Sequence, residues 1–178
     1  PWTLAFPKDS GVAKPLLLEK LASWSASADA NVRHFSGSAV YSKDLEISNP
    51  VPGMMLDLGK VEVIARVKLN GKDLGILWKR PYQVDISPAA VRGNNRLEIE
   101  VVNLWVNRLI GDQSLPEDSD RDPNGVLKQW PAWLLAGGKS PAGRRSFVTF
   151  PLWKKDDPLQ PSGLLGPVTL RLPVTTGN

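Results

Sequence analysis

Apolar and polar residues alternate along the segment Val61–Leu69, which is the pattern of a half-buried β-strand. The odd positions are apolar, namely Val61, Val63, Ala65, Val67 and Leu69. Most of the even positions are charged, with Ile64 as the exception. Asn70-Gly71 follows, and this dipeptide favours a two-residue type I′ turn because both residues tolerate positive φ. The pattern therefore predicts a β-hairpin in which Lys72–Leu77 returns antiparallel to the first strand.

Three further segments show the same two-residue period. Their apolar positions are Ala39, Tyr41, Leu45 and Ile47 in the first, Leu97, Ile99 and Val101 in the second, and Val168, Leu170, Leu172 and Val174 in the third. Sixteen prolines and fifteen glycines discourage long helices, so we expect only a short helix within Leu16–Ser23 and a turn at Pro88–Val91. Many short strands between turns predict an all-β fold, an antiparallel β-sandwich or jelly roll of about eight or more strands.

One long segment, residues 112–147, interrupts the strand pattern. It is polar and contains four prolines, yet it also carries "KQWPAWLLAGG" with Trp130 and Trp133. Loops of this length are uncommon inside a compact domain, and disordered segments are poor in large apolar residues. We therefore predict a single sandwich domain over residues 1–178, with an ordered loop at about residues 112–147 packed on it.

The composition excludes several classes of protein. The 178 residues are 42% hydrophobic and 22% charged, as expected for a globular domain with a substantial core. The net charge of +4 comes from scattered basic residues, so no nucleic-acid partner is predicted. No apolar run approaches the roughly 20 residues of a membrane span, and no membrane partner is expected. Because the chain has no cysteine, it has no disulfides, zinc–thiolate sites or thiol nucleophiles.

The stretch "EDSDRDPNG" is a candidate metal site, because Asp118, Asp120 and Asp122 alternate as in a calcium loop. An EF-hand requires glycine at its sixth position and an acid at its twelfth. Counted from Asp118, these positions hold Pro123 and Gln129, so the stretch is not an EF-hand. A structural calcium site that uses backbone carbonyls stays an alternative to an acidic surface turn. No other cofactor is predicted.

Four stretches follow one another in an order that resembles a known family. They are "VRHFSGSAVYSKDLEI", "LDLGKVEVIARVKLNGKDLGILWKRPYQVDIS", "GNNRLEIEVVNLWVNRLIGD" and "SGLLGPVTLRL". The series resembles the galactose-binding-like jelly roll that accompanies family 2 glycoside hydrolases. It is more similar still to the C-terminal domain of large α-L-rhamnosidase-like enzymes of family 106. The resemblance runs from about Trp2 to Leu172 and implies an accessory domain, with the catalytic carboxylates in a separate barrel domain.

The resemblance also implies the partners of the chain, namely carbohydrate and the catalytic domain of the same parent chain. The sequence starts at Pro1, with neither an initiator methionine nor a signal-peptide pattern, so we expect a fragment of a larger protein. Its localisation cannot be read from this end. A periplasmic or secreted location would follow if the parent is a bacterial polysaccharide-degrading enzyme.

The residues themselves give little support for catalysis by this chain alone. A glycosidase needs two carboxylates that face one cleft, roughly 5–10 Å apart. Glu98 and Glu100 would lie roughly 7 Å apart on one strand face, but they alternate with apolar residues and should face solvent. His34 is the sole histidine, and the sequence lacks the G-x-S-x-G elbow of a nucleophilic triad. We predict that the chain is not an enzyme on its own.

Seven tryptophans outnumber the six phenylalanines and tyrosines, and some of them are candidates for sugar contact. Sugar sites combine aromatic faces with a few polar groups that fix orientation, although large aromatics pack in cores just as often. The candidate binding residues are Trp78, Arg80, Tyr82, Asn103, Trp105, Asn107, Arg108, Asp112, Trp130 and Trp133. We expect the segment 103–112 to meet the loop that bears Trp130 and Trp133, and the hairpin return at residues 78–82 to join them.

Three hypotheses follow from different classes of protein. The first is a non-catalytic, carbohydrate-binding accessory domain of a glycoside hydrolase. The second is a purely structural interdomain module, which a large exposed apolar patch without polar groups would favour. The third is a self-contained glycosidase, which a buried and close carboxylate pair would favour.

Overall fold

The computed structural model describes residues 1–173, which form eleven strands and three short helices. The strands are β1 (Trp2–Ala5), β2 (Leu16–Leu18), β3 (Ser38–Ile47), β4 (Met55–Asp57), β5 (Lys60–Glu62), β6 (Ile64–Leu69), β7 (Lys72–Leu77), β8 (Gln83–Asp85), β9 (Gly93–Val102), β10 (Gly163–Gly166) and β11 (Thr169–Arg171). The helices are α1 (Ala30–Arg33), α2 (Val106–Asp112) and α3 (Ala132–Leu135), and 3-10 turns lie at Lys8–Ser10 and Trp24–Ala26. None of the helices in this range has the length and hydropathy needed to cross a bilayer.

The strands pair antiparallel in two layers that enclose one core. The larger sheet has the order β2-β1-β3-β9-β6-β7, and the opposite layer contains β11-β4-β8 and the pair β10-β5. Side chains of both layers join a single buried cluster, for example Tyr41 and Ile99 of the large sheet with Leu56 and Leu164 of the other layer. This arrangement confirms the predicted all-β sandwich.

The predicted hairpin is present, but its first strand is divided between the layers. β6 pairs with β7 from Leu69 opposite Lys72, and Asn70 and Gly71 have φ of +52° and +78°. Residues Lys60–Glu62 instead form β5 and pair with β10 in the opposite layer. The chain crosses from one layer to the other at Val63, and the alternation of buried residues continues across the crossing. A period of two residues therefore does not distinguish one long strand from two short ones in succession.

The centre of the large sheet follows the predicted alternation closely. β3 and β9 pair along their whole length, from Ser38 opposite Val102 to Ile47 opposite Gly93. The inward positions Tyr41, Ile99 and Val101 are fully buried. These non-local pairs join residues 46 to 64 positions apart, and they bring the end of β9 beside the start of β3. That end of the sheet forms one wall of the site described below.

Two of the sequence predictions are wrong. The segment Leu16–Ser23 is not a helix, because Leu16–Leu18 adds an edge strand beside β1. The alternation at Val168–Leu172 predicts a half-buried strand, and a strand is present, but Leu170 and Leu172 on its apolar side are exposed. Only residues Thr169–Arg171 pair there, at the edge of the three-stranded sheet, where a side chain has few neighbours. Val174 lies outside the described residues.

Trp24 lies in the aromatic part of the core. Its indole stacks on Tyr41 at an interplanar angle of 13°, and it meets Phe6 and Phe35 edge-on at centroid distances of 5.5 and 5.6 Å. Trp24 Nε1 donates to the Tyr41 hydroxyl at 2.5 Å, and the same oxygen accepts from the backbone N–H of Leu164 at 3.0 Å. Both buried donors are thereby satisfied. Burial raises the pKa of Tyr41 to about 12, so this hydroxyl stays protonated at neutral pH.

The long segment after α2 is ordered largely by polar contacts. Arg144 donates to the carbonyls of Leu115 and Pro116 at 3.0 and 2.8 Å, and this closes residues 115–144 into a loop. Arg121 donates to the carbonyls of Val148 and Thr149 at 2.6 and 2.7 Å. The irregular path extends beyond the predicted end at residue 147 and continues to β10, with α3 as its helix. Arginine side chains thus donate to backbone carbonyls that a neighbouring strand would otherwise satisfy.

Candidate functional site

A cleft of about 750 Å³ lies where the start of β3, the helix α2 and the long segment meet. Its volume is within the range of small-molecule sites in proteins. The lining side chains are Pro7, Asp9, Ser10, Phe35, Ser36, Ser38, Trp105, Arg108, Trp133, Leu134, Lys139, Ser140, Arg144, Arg145, Ser146 and Phe147, with Gly37, Gly138 and Gly143 between them. Aromatic, hydroxyl and basic groups therefore converge on one concave surface.

The aromatic residues of the cleft come from distant parts of the chain. Trp105 precedes α2 and is 57% exposed, so that much of its indole is accessible to a ligand. Trp133 lies on α3, where its ring meets Phe147 edge-on at 6.1 Å and its Nε1 donates to the carbonyl of Asp118 at 3.3 Å. Trp130 is 55% exposed and also contacts Phe147, at 5.5 Å, but it does not line the cleft. The structure thus brings residues 103–112 and the long loop together, and Trp105 and Trp133 line the same cleft.

Arg108 is held at the base of the cleft by a buried carboxylate. Its Nη1 lies 3.3 Å from Asp112 Oδ1, one helical turn further along α2. Burial lowers the pKa of Arg108, and the positive charge of Arg145 acts in the same direction, whereas Asp112 opposes both. The guanidinium is nevertheless charged at neutral pH, because its ordinary pKa exceeds 12.

Asp112 ties α2 to the long segment and is 1% exposed. Its Oδ2 accepts from the backbone N–H groups of Arg145 and Ser146 at 2.9 and 2.8 Å, and from the Ser146 hydroxyl at 2.7 Å. A carboxylate with this many partners has no surface left for a sugar. We therefore assign Asp112 to the support of the cleft rather than to ligand contact.

Asn103 and Asn107 are also buried and use their amide groups within the protein. Asn103 donates to the carbonyl of Phe35 at 2.8 Å and accepts from the N–H of Gly37 at 3.0 Å. Asn107 donates to the carbonyl of Gln160 at 2.8 Å and accepts from its N–H at 2.7 Å. Each asparagine side chain donates to a backbone carbonyl and accepts from a backbone N–H, as a neighbouring strand would. Both residues therefore position the walls of the cleft, and ligand contact is left to other side chains.

The hairpin return lies elsewhere, contrary to the expectation that it joins the cleft. Tyr82 is buried, and its hydroxyl donates to the carbonyl of Val63 at 2.8 Å. Arg80 and Tyr82 line a separate shallow depression of about 660 Å³ beside Asp57 and Lys60. Trp78 directly follows the edge strand β7 and is 65% exposed. The Lys79 ammonium lies 5.3 Å from the centroid of its ring. The alternation of the hairpin could not indicate toward which end of the sandwich these residues turn.

The three aspartates of the acidic stretch point to different partners. Asp118 accepts from the hydroxyls of Ser119 and Ser140. Asp120 pairs with Lys128 at 3.1 Å. Asp122 accepts from the backbone N–H groups of residues 124 and 126, both at 2.9 Å, as in an Asx turn. Within residues 1–173 no group of three acidic or histidine side chains is arranged to hold a metal ion.

The cleft also contains side chains that were not among the predicted site residues. They include Lys139, Arg144, Arg145 and Phe147, all within the long segment. The available sequence signal is the adjacent pair Arg144-Arg145 in "GKSPAGRRS", since binding residues are disproportionately found on loops. Ser36 and Ser38 carried no signal, because their position in the cleft depends on the pairing of β3 with β9.

His34 packs beside the cleft against α2. A side chain at Gly111 would meet its ring at 2.6 Å, so the imidazole and the helix backbone are in close contact. Burial lowers the pKa of His34, the charges of Arg33 and Arg108 lower it further, and Asp112 opposes them. The folded protein therefore favours the neutral imidazole.

We expect the free energy of unfolding to fall as the pH drops below about 6.5, in part because of His34. The unfolded chain binds the proton at its ordinary pKa, whereas the folded chain binds it only at lower pH, so acid favours unfolding in this window. Urea unfolding at pH 7.5 and pH 5.5 measures the effect. The decrease should be smaller in His34→Gln than in the unmodified chain, and an equal decrease in both would contradict the prediction.

Comparison with known proteins finds relatives that are much longer than this chain. A protein of Formosa agariphila named "Putative beta-glucuronidase" is 42% identical over 175 residues, which cover 96% of this chain and 15% of that protein. The structure of a rhamnosidase from Novosphingobium sp. PP1Y is 37% identical with a TM-score of 0.75, and the match covers 95% of this chain and 14% of the enzyme. The chain is related to one small region of larger glycoside hydrolases.

More distant structures share the fold over a part of the chain. A β-D-glucuronidase of Dictyoglomus thermophilum matches 59% of this chain and 19% of its own, at 24% identity and a TM-score of 0.50. A β-glucuronidase of Ruminococcus gnavus matches 57% and 20%, at 19% identity and a TM-score of 0.50. No protein-family model matches the sequence. The common element is a β-sandwich that forms a small fraction of each enzyme.

Proposed function

We propose that this chain is a single accessory domain of a larger glycoside hydrolase, of the galactose-binding-like type, and that its cleft binds carbohydrate. The observation that carries the proposal is the match to two larger proteins with glycoside hydrolase names, of which the chain spans only 14–15%. On this proposal the parent enzyme is α-L-rhamnosidase-like, its catalytic acids lie outside this chain, and the domain is not catalytic. A periplasmic or secreted location follows if the parent is a bacterial polysaccharide-degrading enzyme.

The composition of the cleft supports carbohydrate as its ligand. Sugars present C–H faces that pack on aromatic rings and hydroxyls that need both donors and acceptors. Trp105 and Trp133 supply the aromatic faces, while Ser36 and Ser38, whose hydroxyls donate to Leu104 and Glu100, supply acceptor oxygens. Arg108 adds a fixed donor at the base. Of the predicted site residues, Trp105, Arg108 and Trp133 thus form the proposed site, and Trp78 and Trp130 lie outside it.

The carboxylates of this chain support a non-catalytic role. Glu98 is half-buried and lies on the outer face of the large sheet, because it alternates with buried Leu97 and Ile99. Glu100 accepts a hydrogen bond from the Ser38 hydroxyl on the neighbouring strand. A general acid needs an apolar environment that raises its pKa, and a strand face in water does not provide one.

A structural interdomain role is a second candidate, and a strip of exposed apolar residues favours it. The strip contains Ile64, Ile76, Trp78, Val102 and Leu104 on the outer face of the large sheet. Ile64 lies directly opposite Val102, so these two residues are neighbours across β6 and β9, while Trp78 and Leu104 lie just beyond the ends of β7 and β9. The proposed occupant is another part of the parent hydrolase, since about 85% of each relative lies outside the matched region.

The proposed sugar site is tested by Trp105→Ala. We expect affinity for whichever neutral or acidic oligosaccharide binds in a glycan array to fall about ten-fold or more, because an aromatic stacking face is lost. The melting temperature should hardly change, since the indole is mostly exposed. Isothermal titration calorimetry measures the affinity. Trp78→Ala is the matched control, as this tryptophan is equally exposed but lies on the strip.

Two outcomes would contradict the sugar site. Equal losses in Trp105→Ala and Trp78→Ala would mean that the cleft is not the contact surface. Binding of no oligosaccharide at millimolar concentration would remove carbohydrate from the proposal and leave the structural role.

A further inference from the structure

We infer that the cleft selects an acidic saccharide, whose carboxylate or sulfate group is bound by Lys139 and Arg145. The inference rests on the proposed function, namely that the cleft binds carbohydrate, and it specifies the class of sugar. It depends on the balance of charges around the cleft and on where each basic group is already engaged.

The ionisable side chains of the lining are predominantly basic. They are Arg108, Lys139, Arg144 and Arg145 against the single acid Asp9. The overall charge of the chain is only +4 and its basic residues are otherwise scattered, so this concentration is local. A concave surface with one sign of charge focuses the electrostatic potential and raises the local concentration of an oppositely charged ligand.

Two of the four basic groups are engaged within the protein. Arg108 pairs with buried Asp112 at 3.3 Å. Arg144 donates to the carbonyls of Leu115 and Pro116, and it lies 3.9 Å from a carboxylate oxygen of Glu117. These two arginines hold the walls of the cleft, and carboxylates of the protein offset their charges.

Lys139 and Arg145 have a different set of contacts. In residues 1–173 neither of them forms an ion pair with a carboxylate within 4 Å. Arg145 donates through Nη1 to the backbone carbonyl of Asp9 at 2.7 Å, which orients the guanidinium but does not neutralise it. An arginine carries five N–H donors, so most of them remain for a ligand. Both side chains are exposed at the cleft.

The charges around Arg108 also favour an anionic ligand. Burial and the charge of Arg145 both act to lower the pKa of Arg108, so the two guanidinium groups, which line the same cleft, repel one another. An anion placed between them would relieve this repulsion and form charge-assisted hydrogen bonds, which are stronger than neutral ones. Carboxylate and sulfate share this chemistry, and both occur as substituents on sugar rings.

The remaining lining indicates a sugar that carries the anion, in contrast to a free inorganic ion. Trp105 and Trp133 present apolar ring surface for which sulfate or phosphate has no use. The hydroxyls of Ser36 and Ser146 donate to the carbonyl of Leu104 and to Asp112, so their oxygens remain as acceptors at the cleft. A ring with C–H faces, hydroxyls and one acidic group would use all three kinds of side chain.

Calorimetric titration of the chain with three matched probes tests the inference. The probes are α-1,4-linked trigalacturonate, the neutral α-1,4-linked galactotriose, and a sulfated galactotriose. We expect at least one acidic probe to bind ten-fold or more tightly than the neutral one in 50 mM NaCl. That advantage should shrink at 500 mM NaCl, because exposed charges are screened. Comparison of the two acidic probes distinguishes carboxylate from sulfate.

Charge-removing variants locate the contact. Lys139→Gln and Arg145→Gln should each weaken binding of the acidic probe on the order of 3- to 10-fold and leave galactotriose unaffected. Lys20→Gln removes an exposed lysine outside the cleft lining and serves as the matched control. Equal affinity for galactotriose and both acidic probes would overturn the acidic preference while the sugar site stands. Binding of none of the three probes, together with an empty glycan array, would overturn the sugar site itself.

Discussion

Replacing Trp24 with alanine is expected to lower the free energy of unfolding by about 3–5 kcal/mol, the range for buried tryptophan truncations. Trp24 is 2% exposed and contacts Phe6, Phe35 and Tyr41, so its removal leaves a cavity between the two layers. The Tyr41 hydroxyl also loses the N–H that donates to it at 2.5 Å. Chemical unfolding followed by far-ultraviolet circular dichroism measures the change.

The chain offers a matched control in Trp130→Ala. Trp130 is 55% exposed and contacts Phe147, so its truncation should change the unfolding free energy by less than about 1 kcal/mol. The backbone of Gly163 lies so close to Trp24 that there is no room for a side chain between them. A side chain there would meet Trp24 Nε1 and the Tyr41 hydroxyl at 2.6 Å. A loss below 1 kcal/mol in Trp24→Ala would mean that the core repacks far more freely than these contacts suggest.

The parts of the fold that follow from local pattern were predictable from the sequence. Alternation marked the inward residues of β3, β6 and β9, because burial on one face of a sheet imposes a period of two. Asn70-Gly71 marked the hairpin, because both residues have positive φ there. The division of the predicted strand into β5 and β6 was not predictable, since both pieces bury the same parity of residues in one core.

The candidate site was predictable in part. The segment containing Trp105 and Arg108 and the loop containing Trp133 were expected to meet, and the structure places these three side chains around one cleft. Their binding role remains a prediction. The supporting groups could not be separated from the lining by sequence alone. Asn107 and Gln160 are 53 positions apart, and only the folded chain shows that each satisfies the other.

The two walls of the cleft are held in place by different kinds of interaction. One wall is the paired end of β3 and β9, which the central sheet holds in place. The other is an irregular segment held by a few charged and polar side chains, among which Arg121 has three backbone partners and Asp112 and Arg144 have two each. The shape of this wall therefore depends on these groups, including Asp112, which is buried and does not line the cleft.

Replacing Asp112 with alanine is therefore expected to lower the free energy of unfolding by about 3–5 kcal/mol, the range for breaking a buried charge pair. The carboxylate is 1% exposed, and its loss leaves the N–H groups of Arg145 and Ser146 without their acceptor. It also leaves the largely buried guanidinium of Arg108 uncompensated. Urea unfolding measures the loss, and calorimetry should show that saccharide binding weakens as well, because residues 145–146 line the cleft.

A second substitution separates the buried charge from the lost hydrogen bonds. Arg108→Met in the Asp112→Ala background removes the uncompensated guanidinium, so the double variant should recover part of the stability that Asp112→Ala loses. Ser146→Ala is the milder control, because it removes a single hydroxyl donor at 2.7 Å and leaves the carboxylate in place. If Asp112→Ala cost no more than Ser146→Ala, the carboxylate would not anchor the long segment. The wall of the cleft would then depend on Arg144 and its two carbonyl partners instead.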